Sequence, residues 1–585
     1  FTKYWNNELS KKVNEKKTYL ANKFTECKNT CCGGKYSGPC AKNCRTITKY
    51  ISKFEKVQKK TMIGFTPHPK IYYKITVSNA SLVRPMSFTC KKALCDMNIQ
   101  QEIFEAHISP TVRFTTDHGI VPSGWVSVVG NKLRHNDIRT KSYYKVDLKN
   151  GGSITSMDRA INAPLRCLAY DIESITDGGA DRFPDARLGD PVIQIATVLS
   201  RYGIEGCEKT LFALDTCDAI PDVNVLCYET ERELLMGFWE YFVNNDIDFL
   251  QSYNGDSFDT RYIIDRAEEL KIKKFNFFGK ERSFECGYSI GSFSSAQSGF
   301  RETISYQCPG VVMHDLLPVM RTDHNLRSYT LNAVSKEFLN NEKEDLDYKL
   351  LYPLQNGSSA DRARIGSYCV HDTLLVKLLN DKLQKLTNLI EMSKTVGIPV
   401  MEVLSRGQSH KVSTKILSYT APNGYLLPTF EKDKSTGYSI VPYYNHIKNN
   451  VVQKQAGGKA QYAGAFVLDP VVGFHRQATA VLDFSSLYPS VMQAFNMCPS
   501  TLIRSREEAT KMGVQDTDIH ESEAGYLFHQ GQVGVLPQIL TQVLAARKNA
   551  KRQMKNAQND MERAVFDGKQ LSLKIVANSV YASVV

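Results

Sequence analysis

A chain of 585 residues exceeds what one hydrophobic core organises, and 73 Lys and Arg against 61 Asp and Glu leave a net charge of +12, which favours a polyanionic partner. Fifteen cysteines scattered among lysines and polar residues, with no secretory leader, point to a soluble, reducing compartment and away from a disulfide scaffold. No apolar run reaches the roughly 20 residues that a membrane helix needs, so no membrane partner is expected.

In chain order, the first feature is a cysteine cluster. Cys27, Cys31, Cys32, Cys40 and Cys44 are interleaved with Gly33, Gly34, Gly38 and Pro39. A reduced surface loop is the preferred reading, because the spacings fit no zinc class well; zinc held by Cys27, Cys31, Cys40 and Cys44 is the alternative. A lysine-rich helical opening then gives way to alternating strands over 71–77 and 125–129, an α+β accessory domain over residues 1–160. From 161 to 405 strands (165–172, 192–199, 247–253) alternate with longer helices (258–270, 363–386), which indicates an α/β domain. Residues 406–450 are a connecting segment rich in Lys, Asn and Tyr. Gly457-Gly458 then precede an apolar strand, Ala480 to Leu482, that ends in Asp483.

Three acidic blocks lie in the α/β region. Ala169-Tyr-Asp171-Ile-Glu173 ends a strand, and residues two apart share a strand face, so its carboxylates repel unless a cation sits between them. In Asn254-Gly-Asp-Ser-Phe-Asp259 an apolar strand runs into a loop and Asp259 opens a helix. In Tyr368-Cys-Val-His-Asp372 the phenol and the carboxylate stand one helical turn apart, able to reach one phosphate. Asp171, Glu173, Asp259 and Asp372, delivered by one strand end and two helices, are what a two-metal phosphodiesterase needs, with Tyr368 to orient the attacking water.

Two later runs suit a nucleoside triphosphate. Asp483-Phe-Ser-Ser-Leu-Tyr-Pro-Ser490 offers a carboxylate, a tight turn and Tyr488. Lys574-Ile-Val-Ala-Asn-Ser-Val-Tyr581 sets Lys574, Asn578 and Tyr581 on one helical face. A helix starting at Leu536 carries Arg547 and Lys551 four residues apart. Asp516-Thr-Asp518 precedes Lys574 and sits among polar neighbours, so an exposed loop is expected there.

These blocks, in this order, resemble family B DNA polymerases, in particular the replicative delta type, from about Lys56 to Val585. The resemblance implies a multidomain α/β and α+β fold: an amino-terminal domain (1–160), an RNase H-like 3′-5′ exonuclease domain (161–405), a connecting segment (406–450) packing on the amino-terminal domain, a partial palm (451–534) and truncated helical fingers (535–585). It implies DNA replication by two-metal nucleotidyl transfer with proofreading, using Mg²⁺, dNTPs and primer–template DNA. Asp483 and the Phe484 carbonyl would hold metal, and Tyr488 would exclude a 2′ hydroxyl. Arg547, Lys551, Lys574, Asn578 and Tyr581 would meet the incoming nucleotide, and Tyr462 and Gly464 of Tyr462-Ala-Gly-Ala465 would contact DNA. The second polymerase carboxylate would come from a later Asp-Thr-Asp hairpin, and a sliding clamp and accessory subunits would engage through regions outside this sequence. A fragment lacking the carboxy-terminal part is therefore expected. Its location would be the nucleus if cellular, or the nucleus or a cytoplasmic replication site of the host if viral. A fragment active only as an exonuclease and a silent DNA-binding assembly subunit are the alternatives; intact clustered acids argue against silence. Gly255-Asp256 and Ala582 depart from the family pattern, Asp256 by adding a charge near Asp259.

Overall fold

The structure is a computed structural model and describes residues 51–84, 86–87, 103–133, 138–140, 143–148, 150–159, 161–176, 182–295, 299–341, 346–427, 431–433, 437–439, 468–478, 480–484 and 486–582. The cysteine cluster from Cys27 to Cys44 and the residues Tyr462 and Gly464 lie outside them. The chain divides into two compact units. One contains residues 1–119, 408–548 and 573–585; the other contains 120–407 and 549–572.

In the first unit, β1 (Ile51–Thr61) and β2 (Lys70–Val77) form an antiparallel hairpin. In the second unit, β3 (Trp125–Val129) pairs with β4 (Ser153–Met157), and a six-stranded sheet follows. Its strands are β5 (Arg166–Ser174), β6 (Val192–Arg201), β7 (Cys207–Leu214), β8 (Asn224–Tyr228), β9 (Phe249–Ser252) and, after a long hairpin of β10 (Gly287–Ser295) and β11 (Gly299–Gln307), β12 (Val312–Asp315). The spatial order is β8-β7-β6-β5-β9-β12. β6 runs antiparallel to both β5 and β7, whereas β8 lies parallel to β7, and β9 and β12 lie parallel to β5.

Strand alternation divides β5 between two layers. Leu168, Tyr170 and Ile172 join Leu234, Leu235 and Phe238 of α1 (Glu231–Asn244) and Tyr262, Ile263 and Ala267 of α2 (Asp259–Glu269) in the main core. Ala169 faces the other way, onto Val376. A buried ion pair locks the first layer: Arg266 grips Glu231 through Nε at 2.8 Å and Nη2 at 2.8 Å, while Glu231 Oε1 also accepts Val192 N–H at 2.9 Å. Such a pair is worth keeping only when the remaining donors and acceptors are met, as here.

α3 (Leu316–Asp323) leaves β12, and the long α4 (Ser359–Lys382) covers the second face of the sheet. α4 starts at a capping box in which Ser358 and Asp361 exchange hydrogen bonds. It ends at Lys382 and not near Leu386, because Gln384 adopts φ 50 and starts α5 (Lys385–Val396) in a new direction.

The first unit resumes with α6 (Gln408–Thr420) and β13 (Tyr425–Leu426), the latter pairing parallel with β1. α7 (Leu487–Ala494) and a small sheet of β14 (Leu502–Ile503), β15 (Ile519–Glu521) and β16 (Leu527–His529) follow. Phe65, Ile503, Ala509 and Leu527 make its core. α8 (Val535–Lys555) and α9 (Asp560–Ala582) are joined by residues 556–559. No helix among the described residues is long and apolar enough to cross a membrane.

The strand expected before Asp483 is absent. Residues 480–484 are irregular, and Val481 and Leu482 are 87% and 95% exposed. An apolar run becomes a strand only where a neighbour supplies ladder partners, and no described strand pairs with this one.

Candidate active site

The densest acidic cluster forms where β5 ends against α4. Asp171 pairs across the ladder with Ala196 and Glu173 with Gln194, and the register shifts just after Glu173. Ligand atoms of Asp171, Glu173 and Cys369 all lie within 4.8 Å of one another. Cys369 is fully buried, and its Sγ–H points to the Asp171 carbonyl at 3.6 Å. Burial first, then the charges of Asp171, Glu173 and Asp372, push this thiol well above its ordinary pKa. Its thiolate form is thereby disfavoured.

Asp259 reaches the same place from the start of α2. It is 2% exposed, accepts Ile172 N–H through Oδ1 at 3.4 Å, and lies within hydrogen-bonding reach of the Asp171 carboxylate. Burial raises its pKa, the Asp315 charge adds to this, and its own and the Ile172 backbone amides offset part of the rise. Acids pressed together in this way hold protons until a cation replaces them.

The loop that carries Asp259 is fixed by a residue that the sequence did not single out. Asp315, at the end of β12, accepts the backbone N–H groups of Asn254 (2.8 Å) and Asp256 (3.1 Å), and that of Leu317 (2.9 Å) as the cap of α3. Asn254 turns the chain at φ 67. Gly255 passes so close to Ser252 that a Cβ there would overlap its Oγ and Cβ. Tyr306 of β11 donates to the Asp256 carbonyl at 2.7 Å, and Tyr170 of β5 shares a short hydrogen bond with Thr260. The charge that Asp256 was expected to add is reduced, because burial, with Asp315 beside it, raises its pKa to about 7.

Asp372 lies on α4 one turn beyond the half-buried Tyr368, is 5% exposed, and is close enough to Cys369 to raise the thiol pKa. Oxygen donors from Asp171, Glu173, Asp259 and Asp372, beside a thiol whose thiolate form is disfavoured, suit a hard divalent cation better than zinc.

The other expected residues among those described lie in the first unit, except Lys551, which belongs to the second. Asp483 and Phe484 are exposed on the irregular segment, and Tyr488, 47% exposed, lies in the first turn of α7 after Ser486 at φ 57. Arg547 is half-buried and Lys551 exposed on α8, and Lys574 and Asn578 are exposed on one face of α9. Tyr581 lies in the last turn of α9. Asp516–Asp518 is an exposed 3₁₀ turn whose Asp516 pairs with Arg506 at 2.7 Å.

The base of α8 is tied down by the segment after α7. Three side chains accept the first N–H groups of its entry: Asn496 Oδ1 from Gly534 (2.7 Å), Ser500 Oγ from Val535 (3.0 Å) and Cys498 Sγ from Leu536 (3.3 Å). Asn496 Nδ2 also donates to the carbonyls of His529 (2.7 Å) and Gln532 (2.8 Å).

Residues 101–334 match the family described as DNA polymerase family B, exonuclease domain, and residues 398–584 match DNA polymerase family B. The chain belongs to DNA polymerase family B. This family B chain is 34% identical over 548 residues to a DNA polymerase delta catalytic subunit of Oryza sativa subsp. japonica, a match that covers 92% of the chain and 47% of that relative. It is 33% identical over 560 residues to the delta catalytic subunit of Drosophila melanogaster, covering 92% and 48%. The chain thus spans about half the length of the curated relatives it matches. Among solved structures, the family B DNA polymerase of the archaeon Pyrobaculum calidifontis shares its fold, with a TM-score of 0.64 at 20% identity over 92% of this chain and 60% of that one. The two family matches separate the acids of the family B chain into two groups: Asp171 and Asp259 fall in the exonuclease match, Asp483 in the polymerase match.

Proposed function

We propose that this chain is part of a replicative DNA-directed DNA polymerase with 3′-5′ proofreading exonuclease activity, and that Asp171, Glu173, Asp259 and Asp372 are its nuclease acids. The observation that carries this reading is the convergence of Asp171, Glu173 and Asp259 at one strand end, with Asp372 on the helix that covers it. Two divalent cations, Mg²⁺ by this reading, would supply an activated water and stabilise the leaving 3′ oxygen. The chain's own residues do the rest. The four acids would accept the cations and Tyr368 would orient the water, with the buried Cys369 thiol beside Asp171 and Glu173.

On the polymerase side, Asp483 and the Phe484 carbonyl would hold metal and Tyr488 would lie against the sugar. Arg547, Lys551, Lys574, Asn578 and Tyr581 would neutralise and orient the triphosphate, and Tyr462 and Gly464 would meet the template strand. The domains would run 1–160, 161–405, 406–450, 451–534 and 535–585. Primer–template DNA, dNTPs, a sliding clamp and accessory subunits would be the partners, and the nucleus the location in a cellular source.

The test offers the chain a 5′-labelled single strand, and separately a primer–template with dNTPs, in Mg²⁺. Stepwise shortening of the single strand that is lost in Asp259→Ala supports the nuclease assignment; shortening that survives Asp259→Ala undiminished removes it. Primer extension that persists in Asp483→Ala would equally remove Asp483 from the polymerase assignment.

A further inference from the structure

The hairpin of β10 and β11 is bracketed by two cysteines that the proposed activity does not use. Gly287 pairs with Gln307 at its base, so Cys286 and Cys308 occupy the next position outward on the two arms. Directly opposed antiparallel residues have Cα atoms about 4.5–5.5 Å apart, inside the roughly 4.4–6.8 Å that a disulfide spans. Both cysteines are free, and their thiols lie close enough to perturb each other, with Cys286 Sγ also 3.9 Å from the Phe284 carbonyl. Cys286 is buried, while Cys308 is half-buried and gives the pair its access to solvent.

The surroundings favour one sulfur as nucleophile. The nearby Cys308 thiol, the backbone amides of Gly279 and Phe278 and the Arg139 guanidinium favour a thiolate at Cys286, against the effect of burial, and lower its pKa. Arg139 is held in place by its own bond to the Gly279 carbonyl and lies 5.6 Å from the Trp239 ring centroid. Contact with Cys286, together with burial, raises the pKa of Cys308. A stabilised thiolate with a second thiol beside it is the arrangement that oxidises reversibly.

We propose that Cys286 and Cys308 form a redox-active pair that closes to a disulfide across the base of the hairpin when a peroxide is present. The Cys286 thiolate attacks a peroxide oxygen, the O–O bond breaks, and the departing hydroxide takes a proton to become water, leaving a sulfenic acid on Cys286. Cys308 gives up its proton and attacks that sulfur. The S–O bond breaks, a second water leaves and the S–S bond forms. Two thiols lose two electrons in all, and one peroxide becomes two waters. The lock has a point of action. Tyr306, two residues inside Cys308, holds the Asp256 carbonyl, and Tyr288, two residues inside Cys286, donates to Asp265 Oδ1 of α2 at 2.6 Å.

The test treats the whole chain with hydrogen peroxide, alkylates the remaining thiols and maps peptides without reduction. The exposed Cys207 and Cys227 serve as internal references. The expected product is a Cys286–Cys308 linked peptide, lighter by two hydrogen atoms and returned to free thiols by dithiothreitol. In Cys308→Ser, where no resolving thiol remains, dimedone should trap a sulfenic acid on Cys286. Cys286 and Cys308 both alkylated under conditions that oxidise Cys207 and Cys227, or no dimedone adduct on Cys286 in Cys308→Ser, would overturn the proposal. Neither readout depends on nuclease or polymerase activity.

Discussion

The Asp315 carboxylate holds the backbone N–H of Asn254 at 2.8 Å, and through this bond the end of β12 sets the loop that delivers Asp259. Asp315→Asn keeps the shape but replaces one accepting oxygen with an NH₂ group, so the Asp256 amide would face a donor. The nuclease rate should fall about 10- to 100-fold, the usual effect of losing a group that orients a metal ligand. The Mg²⁺ concentration for half-maximal rate should rise as well. An unchanged Mg²⁺ requirement would count against this role for Asp315.

Gly255 makes a steric prediction. A Cβ at this position overlaps Ser252 Oγ and Cβ and comes within 3.4 Å of Asp259 Oδ2. Gly255→Ala should therefore displace the loop and lower nuclease activity, and adding Ser252→Gly, which removes the overlapped atoms, should restore most of it. Failure of the double variant to recover would place the damage elsewhere.

Asp256 gives the clearest pH signature. Burial and then the Asp315 charge raise it from 3.8 to about 7, so the folded chain keeps a proton that the unfolded chain releases. The resulting stabilisation is complete below the unfolded value and is lost as pH rises through about 7, on the order of a few kcal/mol in all. Asp256→Asn is neutral throughout and lacks this loss. In metal-free buffer, its urea midpoint relative to wild type should therefore climb between about pH 4 and pH 8. A difference that stays flat across that window would refute the assignment.

Asn496 satisfies three backbone groups at once, those of Gly534, His529 and Gln532. Asn496→Ala strands buried partners and should lower the stability of the first unit by about 1–3 kcal/mol, read as a lower thermal midpoint. The change also loses a residue type that tolerates the observed φ of 49. A thermal midpoint equal to wild type would show that water replaces the amide without cost.

What could be read from the sequence was what depends on local periodicity. Alternation along β5 put Asp171 and Glu173 on one face, and a helical repeat put Tyr368 and Asp372 on another, without knowledge of the neighbours. Asp315 was invisible because its partners are backbone amides 59 and 61 residues earlier, brought within reach only by the pairing of β9 with β12. Cys369 carried no signal in the sequence; its closeness to the acids depends on how α4 lies on the sheet. The segment before Asp483 shows the opposite failure: its apolar run has strand composition, but a ladder needs a partner that sequence composition cannot supply.

Cys369 touches the Asp171 carbonyl across 198 residues of sequence. At about 5–20 residues per second, a ribosome would need roughly 10–40 seconds to bring α4 out after β5. During that interval the two β5 acids would stand at a strand end without their covering helix, in a chain unable to cut anything. The set of nuclease acids would be complete only once that helix had been made and had packed on the sheet.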